Sequence, residues 1–104
     1  MPADPLLRFR QDYTPRFFAY LARNDEAGLR AAYELGRQAM SQAVGLLGLV
    51  RTHNEVLLDV LHTARSVEAS EAIAASASAF LLEAVAPFEM TQRGYMGQVV
   101  QTED

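Results

Sequence analysis

Residues 80–95 read FLLEAVAPFEMTQRGY, a stretch with apolar residues on several sides of a helix. One side holds residues at steps of three and four: Leu81, Ala84, Phe88, Thr91 and Tyr95. Three other apolar residues point away from that side: Phe80, Leu82 and Val85. A helix that is apolar on more than one side needs more than one neighbouring helix to cover it. The stretch therefore predicts a bundle of helices.

The amino-terminal segment predicts one long helix. Asp4 is a good cap, and Pro5 suits the first helical position, where no amide hydrogen is needed. The apolar stripe of this helix is Leu6, Phe9, Tyr13, Phe17, Tyr20 and Leu21. Because the stripe stays in phase through Pro15, it favours a single kinked helix to about Arg23. The alternative is that Thr14 caps a new helix that starts at Pro15.

A second helix is predicted from about Glu26 to Ser41, with Asp25 as its cap. Its inward side is Leu29, Ala32, Tyr33, Gly36 and Met40. A mid-helix glycine costs about 1 kcal/mol against alanine, so Gly36 predicts that another backbone passes close to it. The outward side carries Glu26, Arg30, Glu34 and Arg37, at spacings that suit ion pairs. That side is either a solvated face or a surface for a partner.

Two more helices complete the prediction. The third spans about residues 46–64, and its apolar stripe is Leu46, Leu49, Val50, His53, Val56, Leu57, Val60 and Leu61. The fourth starts near Ser66 or Val67 and runs toward the end of the chain, with a bend at Pro87. Short loops between such helices are typical of up-down bundles. The sequence thus predicts an all-α, antiparallel four-helix bundle, and its surplus of apolar faces favours a dimer.

Composition limits the class of protein. The 104 residues fit one domain, 1–104, and 50% of them are hydrophobic, enough for a core. There is no cysteine, which excludes disulfides and sulfur-ligated zinc. The net charge of −4 argues against nucleic acid as a partner. Residues 1–7 lack the features of a secretory signal, and no apolar run approaches the roughly 20 residues that span a bilayer. We therefore expect a cytoplasmic protein without membrane contact.

The sequence offers few groups for chemistry. The two histidines are the only side chains that titrate near neutrality without perturbation. His53 lies in the apolar stripe of the third helix, which indicates a neutral, hydrogen-bonded histidine in the core. The alternative is a histidine phosphotransfer domain, because His53-Asn-Glu is similar to phosphoacceptor helices of histidine kinases, but that role needs an imidazole in solvent. No His-x-x-x-His or Glu-x-x-His pair shares a helix face, which argues against a metal centre. We expect no catalytic residue, no metal and no cofactor.

The remaining candidate is a surface for protein binding. Leu82 points away from the side that Leu81, Ala84 and Phe88 share. Exposed apolar residues that lie together indicate an interface. The alternative is that Leu82 is half-buried against a neighbouring helix.

Anchor residues recur along most of the chain. They are Tyr13, Phe17, Tyr20, Leu21, Leu29, the run AYELGR at 32–37, His53, Val56, Leu57, and the runs FLLE at 80–83, PFEM at 87–90 and RGY at 93–95. Together, from about Phe9 to Tyr95, these residues resemble the amino-terminal domain of RsbU-type proteins. Those proteins are bacterial serine phosphatases of general stress signalling.

The resemblance implies a non-catalytic four-helix domain that forms a homodimer. It also implies that the domain binds a switch kinase of the RsbT type and so turns on a downstream phosphatase domain. That phosphatase domain is absent from these 104 residues, so the resemblance implies a regulatory module excised from a longer signalling protein. A purely structural dimerisation domain is a further alternative.

Two positions carry over from the family as partner contacts: Arg30 on the second helix and Leu82 on the fourth. Glu34 and Arg37 are expected as charged neighbours of that contact. We assign Phe80, Phe88 and Tyr95 to the dimer or to the helix that couples binding to the phosphatase. Arg30 departs from the aromatic residue of the better-known family member, and Pro87 is a second departure.

Overall fold

Four helices form the part of the chain that the structure describes: α1 (Pro5–Arg23), α2 (Glu26–Ser41), α3 (Gly45–Leu61) and α4 (Val67–Glu103). This computed structural model describes residues 4–103, with side chains for residues 4–91. No strand occurs within residues 4–103. Each helix packs against the other three. The predictions of an all-α fold and of four helices are confirmed, while antiparallel packing and dimer formation stay predictions.

Side-chain caps fix where α1 and α2 begin. The Asp4 carboxylate accepts a hydrogen bond from the Leu6 amide at 3.0 Å, and Asp25 accepts one from the Gly28 amide at 2.9 Å. Asn24 ends α1 in the left-handed region, with φ at 49°. α1 continues through Pro15, so the single-helix prediction is confirmed and a new helix at Thr14 is wrong. The bounds of α2 are those that the sequence predicted.

The third helix is shorter than predicted. It ends at Leu61 and not near residue 64. The Thr63 and Ala64 amides donate to the Val60 and Leu61 carbonyls, at 2.9 and 3.1 Å. These bonds reach back three residues and tighten the chain into a turn instead of prolonging the α-helix. α4 then begins at Val67, as predicted.

An aromatic cluster occupies the core. Its members are Phe9, Tyr13, Phe17 and Tyr20 from α1 and Phe80 from α4, none more than 6% exposed. The ring centroids of Tyr13, Phe17 and Tyr20 lie 5.4, 5.3 and 5.7 Å from that of Phe80. These distances suit favourable ring–ring contacts. Smaller residues complete the core around this cluster: Ala32, Leu35, Ala39, Leu49, Val56, Ala77 and Ala84.

Three residues predicted to face inward are exposed instead. Leu6 and Leu46 are 38% and 47% exposed, and each is the second residue of its helix. Met40 is 38% exposed, whereas Leu35 and Ala39 are buried. The inward face of α2 therefore passes through Leu35 and Ala39, and Met40 lies about 100° further round the helix.

The prediction of a close backbone at Gly36 is confirmed. A Cβ atom at this position would lie 1.9 Å from the Ala84 carbonyl oxygen and 3.1 Å from Cγ of Pro87. Pro87 is itself buried, and α4 remains helical through it. The backbones of α2 and α4 thus approach each other so closely that only glycine fits at position 36.

One segment corrects the expectation that no apolar stretch of the chain is long enough to span a bilayer. Val67–Thr91 meets the length and composition of a membrane-spanning helix, because its many alanines are interrupted by few charges. The buried helices of globular proteins share these properties. Here the same segment contributes Ala77, Phe80 and Ala84 to the core.

Candidate functional site

The outward face of α2 carries the predicted charged residues. Arg30, Glu34 and Arg37 are all exposed. The Arg37 guanidinium lies 3.8 Å from the Glu34 carboxylate, as the spacing predicted. Within residues 4–91, Arg30 makes no ion pair. Its guanidinium therefore keeps all its donors for solvent or for a partner.

Leu82 lies on the solvent-exposed face of α4. It is 67% exposed, whereas Phe80 and Ala84 are fully buried. The outward direction of Leu82 is confirmed, and the alternative of packing against a neighbouring helix is wrong. An exposed leucine leaves apolar surface in water that a partner could cover.

A groove between α2 and α4 adds to this surface. It has a volume of about 400 Å³ and is lined by Tyr33, Arg37, Met40, Pro87, Met90 and Thr91. The Tyr33 hydroxyl donates to the Met90 sulfur at 3.6 Å across it. Met90 is 59% exposed, and flexible methionines adapt to different partner surfaces. The groove brings Arg37 to α4, while Arg30 and Leu82 lie outside its lining.

This groove was not predicted from the sequence. Tyr33 and Met40 were expected to face inward, and Met90 was given no role. The available signal was the close approach at Gly36, which brings the two helices together and leaves a groove beside the contact.

The three residues assigned to a dimer or to coupling lie in different surroundings. Phe80 is fully buried in the aromatic cluster, so it stabilises the core and offers no surface to a second subunit. Phe88 is partly buried and packs against the core. Tyr95 lies outside the residues whose side chains are described.

His53 is a buried core histidine. It is 2% exposed, and its Nδ1 lies 2.7 Å from the Tyr13 hydroxyl. Desolvation lowers the pKa of His53 to about 4 and raises the pKa of Tyr13. Both groups are therefore neutral at physiological pH and share one hydrogen bond, whose direction depends on the imidazole tautomer. The phosphoacceptor alternative is wrong, because phosphoryl transfer needs the imidazole in solvent.

An ion-pair network that the sequence reading missed joins α1 to α3. The Arg10 guanidinium bonds to Glu55, and it bonds to the Asp59 carboxylate at 3.1 Å. Glu55 and Asp59 are four residues apart and so lie on one face of α3. That spacing is visible in the sequence, but the partner, 45 and 49 residues away, is not. Residues 4–91 contain no group of three or more side chains placed to hold a metal ion.

Comparison with protein families identifies a family that the chain matches. A family model described as "Phosphoserine phosphatase RsbU, N-terminal domain" matches residues 11–91. The matched segment includes Arg30 and Leu82 and ends before Tyr95. No curated protein and no solved structure matches the chain.

Proposed function

Because this chain belongs to the family of RsbU N-terminal domains, we propose that it binds a switch kinase of the RsbT type and thereby controls a downstream serine phosphatase in bacterial stress signalling. The family places the domain in the regulatory part of a phosphatase, so the domain itself is non-catalytic. The proposal includes a homodimer with antiparallel helices, located in the cytoplasm.

The observation that carries the proposal is the exposure of Leu82. Leu82 is 67% exposed, whereas Phe80 and Ala84, two residues before and after it on the same helix, are buried. Full burial of a leucine is worth about 1.5–3 kcal/mol, enough for it to act as an anchor at the centre of an interface. Such an anchor suits an apolar pocket on the kinase.

Arg30 supports the same proposal through its free charge. A guanidinium without an ion pair can bind a carboxylate of the partner with two parallel hydrogen bonds. Glu34 and Arg37 already neutralise each other in part. They therefore contribute more to the rate and specificity of association than to affinity.

The length of α4 suggests how a conformational change caused by kinase binding is transmitted to the phosphatase domain. α4 has 37 residues, whereas α1, α2 and α3 have 19, 16 and 17. At about 1.5 Å per residue, α4 is roughly twice as long as each helix that it packs against. In the proposal, kinase binding at Leu82 fixes the direction of α4, and Phe88 and Tyr95 pass this change to the segment that follows.

The test is Leu82→Asp in calorimetric titration with an RsbT-type kinase. We expect affinity to fall by about 100-fold, because the contact loses apolar burial and gains a carboxylate that must be desolvated. Circular dichroism and sedimentation should show unchanged helicity and an unchanged dimer. The matched control is Leu47→Asp, since Leu47 is 66% exposed but lies on α3. It should bind like the wild type.

The outcomes separate the parts of the proposal. Equal affinity of Leu82→Asp and wild type would place the kinase on another face. A wild-type dimer that binds no kinase would support the structural dimerisation domain instead. A wild-type protein that is a monomer and binds the kinase would contradict the proposed dimer and support the proposed partner.

A further inference from the structure

A second groove lies between α1, α3 and α4, and the proposed function makes no use of it. Its volume is about 500 Å³, and it is lined by Phe18, Leu21, Ala22, Asp59, Val60, Thr63 and Ile73. Volumes of about 300–1,000 Å³ are usual for small-molecule sites. The residues that line this groove are distinct from those of the α2–α4 groove and from Arg30 and Leu82.

The walls of the groove are mostly apolar. Phe18 is 48% exposed there, although a ring of this size is normally covered. Leu21 and Val60 are partly buried and pack against the core behind the groove. A ligand with an apolar body would therefore cover surface that the fold leaves in water.

The two polar residues of the lining both act as hydrogen-bond acceptors. Thr63 uses its hydroxyl proton for the Val60 carbonyl, at 2.7 Å, so its oxygen is left to accept. Asp59 is a carboxylate, which only accepts when ionised. A ligand placed here needs a donor at its polar end.

Charge also favours a cation. The Arg10 guanidinium bonds to both Glu55 and Asp59. One positive and two negative side chains leave the network with a net negative charge. Asp59 also keeps an oxygen that Arg10 does not occupy, since only its Oδ2 bonds to Arg10.

We propose that this groove binds a small amphipathic amine, with its apolar body on Phe18, Val60 and Ile73 and its ammonium group at Asp59 and Thr63. The shape favours a small molecule over a helix of another protein. Three helices converge on the groove, and α4 contributes Ile73 alone to the lining. This makes a short recess, whereas a docked helix needs a groove several turns long.

The chain offers a direct reporter for this site, because Ile73 is its single isoleucine. With only isoleucine methyl groups labelled, the carbon–proton NMR spectrum reports on the groove. The probe is octylammonium, compared with octanoate, which has a tail of similar length and the opposite charge. We expect a saturable shift of the Ile73 methyl signal with a Kd on the order of 1 mM, as its few atoms allow. Octanoate should bind at least about fivefold more weakly.

Three variants locate the binding. Ala22→Trp fills the groove and should abolish the saturable shift, while Ala19→Trp, on an exposed position of α1 outside the lining, should keep it. Asp59→Asn should raise the Kd for octylammonium about two- to fivefold, the range expected for an exposed ion pair. The Kd for octanoate should stay unchanged or fall. Circular dichroism verifies that each variant is folded.

Several results would overturn the proposal. One is the absence of a saturable Ile73 shift in the folded wild type. Another is equal binding of octylammonium and octanoate, or equal binding by Ala22→Trp and wild type. A shift of the Ile73 signal on dilution without ligand, together with dissociation in sedimentation, would show that a second copy of the chain covers the groove.

Discussion

Gly36→Ala should destabilise the protein, although alanine is the better helix former. The added Cβ would lie 1.9 Å from the Ala84 carbonyl oxygen and 3.0 Å from its carbonyl carbon. Close carbon–oxygen contacts in proteins are about 3.3–3.6 Å. α2 and α4 must therefore separate locally by more than about 1 Å to admit one methyl group.

The magnitude follows from two opposing effects. Overpacking of a core costs about 1–3 kcal/mol, and the upper part of that range applies because the obstacle is backbone. The higher helix propensity of alanine over glycine offsets about 1 kcal/mol of this cost. The net loss is about 2 kcal/mol, out of a total of roughly 5–15 kcal/mol for a domain. This corresponds to a fall in Tm of about 10 °C.

Urea unfolding followed by circular dichroism measures the effect, at one protein concentration for all variants. The control is Gly48→Ala in α3, where the nearest atom to the new Cβ is Cγ1 of Val44 at 2.8 Å. Only a methyl group of a side chain must shift there, and alanine offsets this cost by about 1 kcal/mol of helix propensity, so this variant should stay within about 1 kcal/mol of the wild type. Ala84→Gly should not rescue Gly36→Ala, because the obstructing oxygen belongs to the backbone. A Gly36→Ala variant as stable as the wild type would refute the close approach.

Three further predictions concern stability in the same assay. The pKa of His53 is 6.5 in the unfolded chain and about 4 in the folded protein, so the unfolded state binds more protons between these values. Acidification from about pH 6.5 to 4 should cost roughly 3 kcal/mol, and His53→Gln should lack this part of the pH dependence; equal slopes would contradict the burial. Tyr13→Phe removes the hydroxyl 2.7 Å from the imidazole and should cost about 1–3 kcal/mol; an unchanged midpoint would show that the bond adds nothing. Asp25→Ala removes the hydrogen bond that caps the Gly28 amide and should cost about 1 kcal/mol of stability. Unchanged stability would contradict a role for this cap.

Helix ends were predictable where a local signal marks them. Asp4 and Asp25 cap α1 and α2 through side chains close to them in sequence, so the sequence contains all that is needed. The end of α3 was wrong by about three residues. The turn at Thr63 uses backbone hydrogen bonds to carbonyls three residues back. No residue type in the sequence marks where an α-helix changes to such a turn.

The rotation of each helix was less predictable than its ends. α2 has apolar residues round much of its circumference, and Met40 and Ala39 are neighbours in sequence with opposite surroundings. What decides between them is the contact of Gly36 with Ala84, nearly fifty residues away. The sequence indicated that something approaches Gly36, but it could not say from which direction.

The candidate partner surface was predictable in part. The exposure of Leu82 and the Glu34–Arg37 pair follow from helical spacing alone. The two grooves and the Arg10 network depend on which helices become neighbours, so they are properties of the packed chain. His53 was assigned correctly to the core, yet its partner Tyr13 lies on another helix and could not be named.

The apolar sides of residues 80–95 divide between the core and the surface. Phe80 enters the aromatic cluster, while Ala84 and Pro87 face Gly36 of α2. Leu82 is two residues from both Phe80 and Ala84, which places it about 200° round the helix from each. A protein that binds Leu82 therefore approaches α4 from the side opposite its core contacts. Binding there can fix the direction of α4 without repacking the aromatic cluster, because the cluster is already complete when Leu82 is exposed.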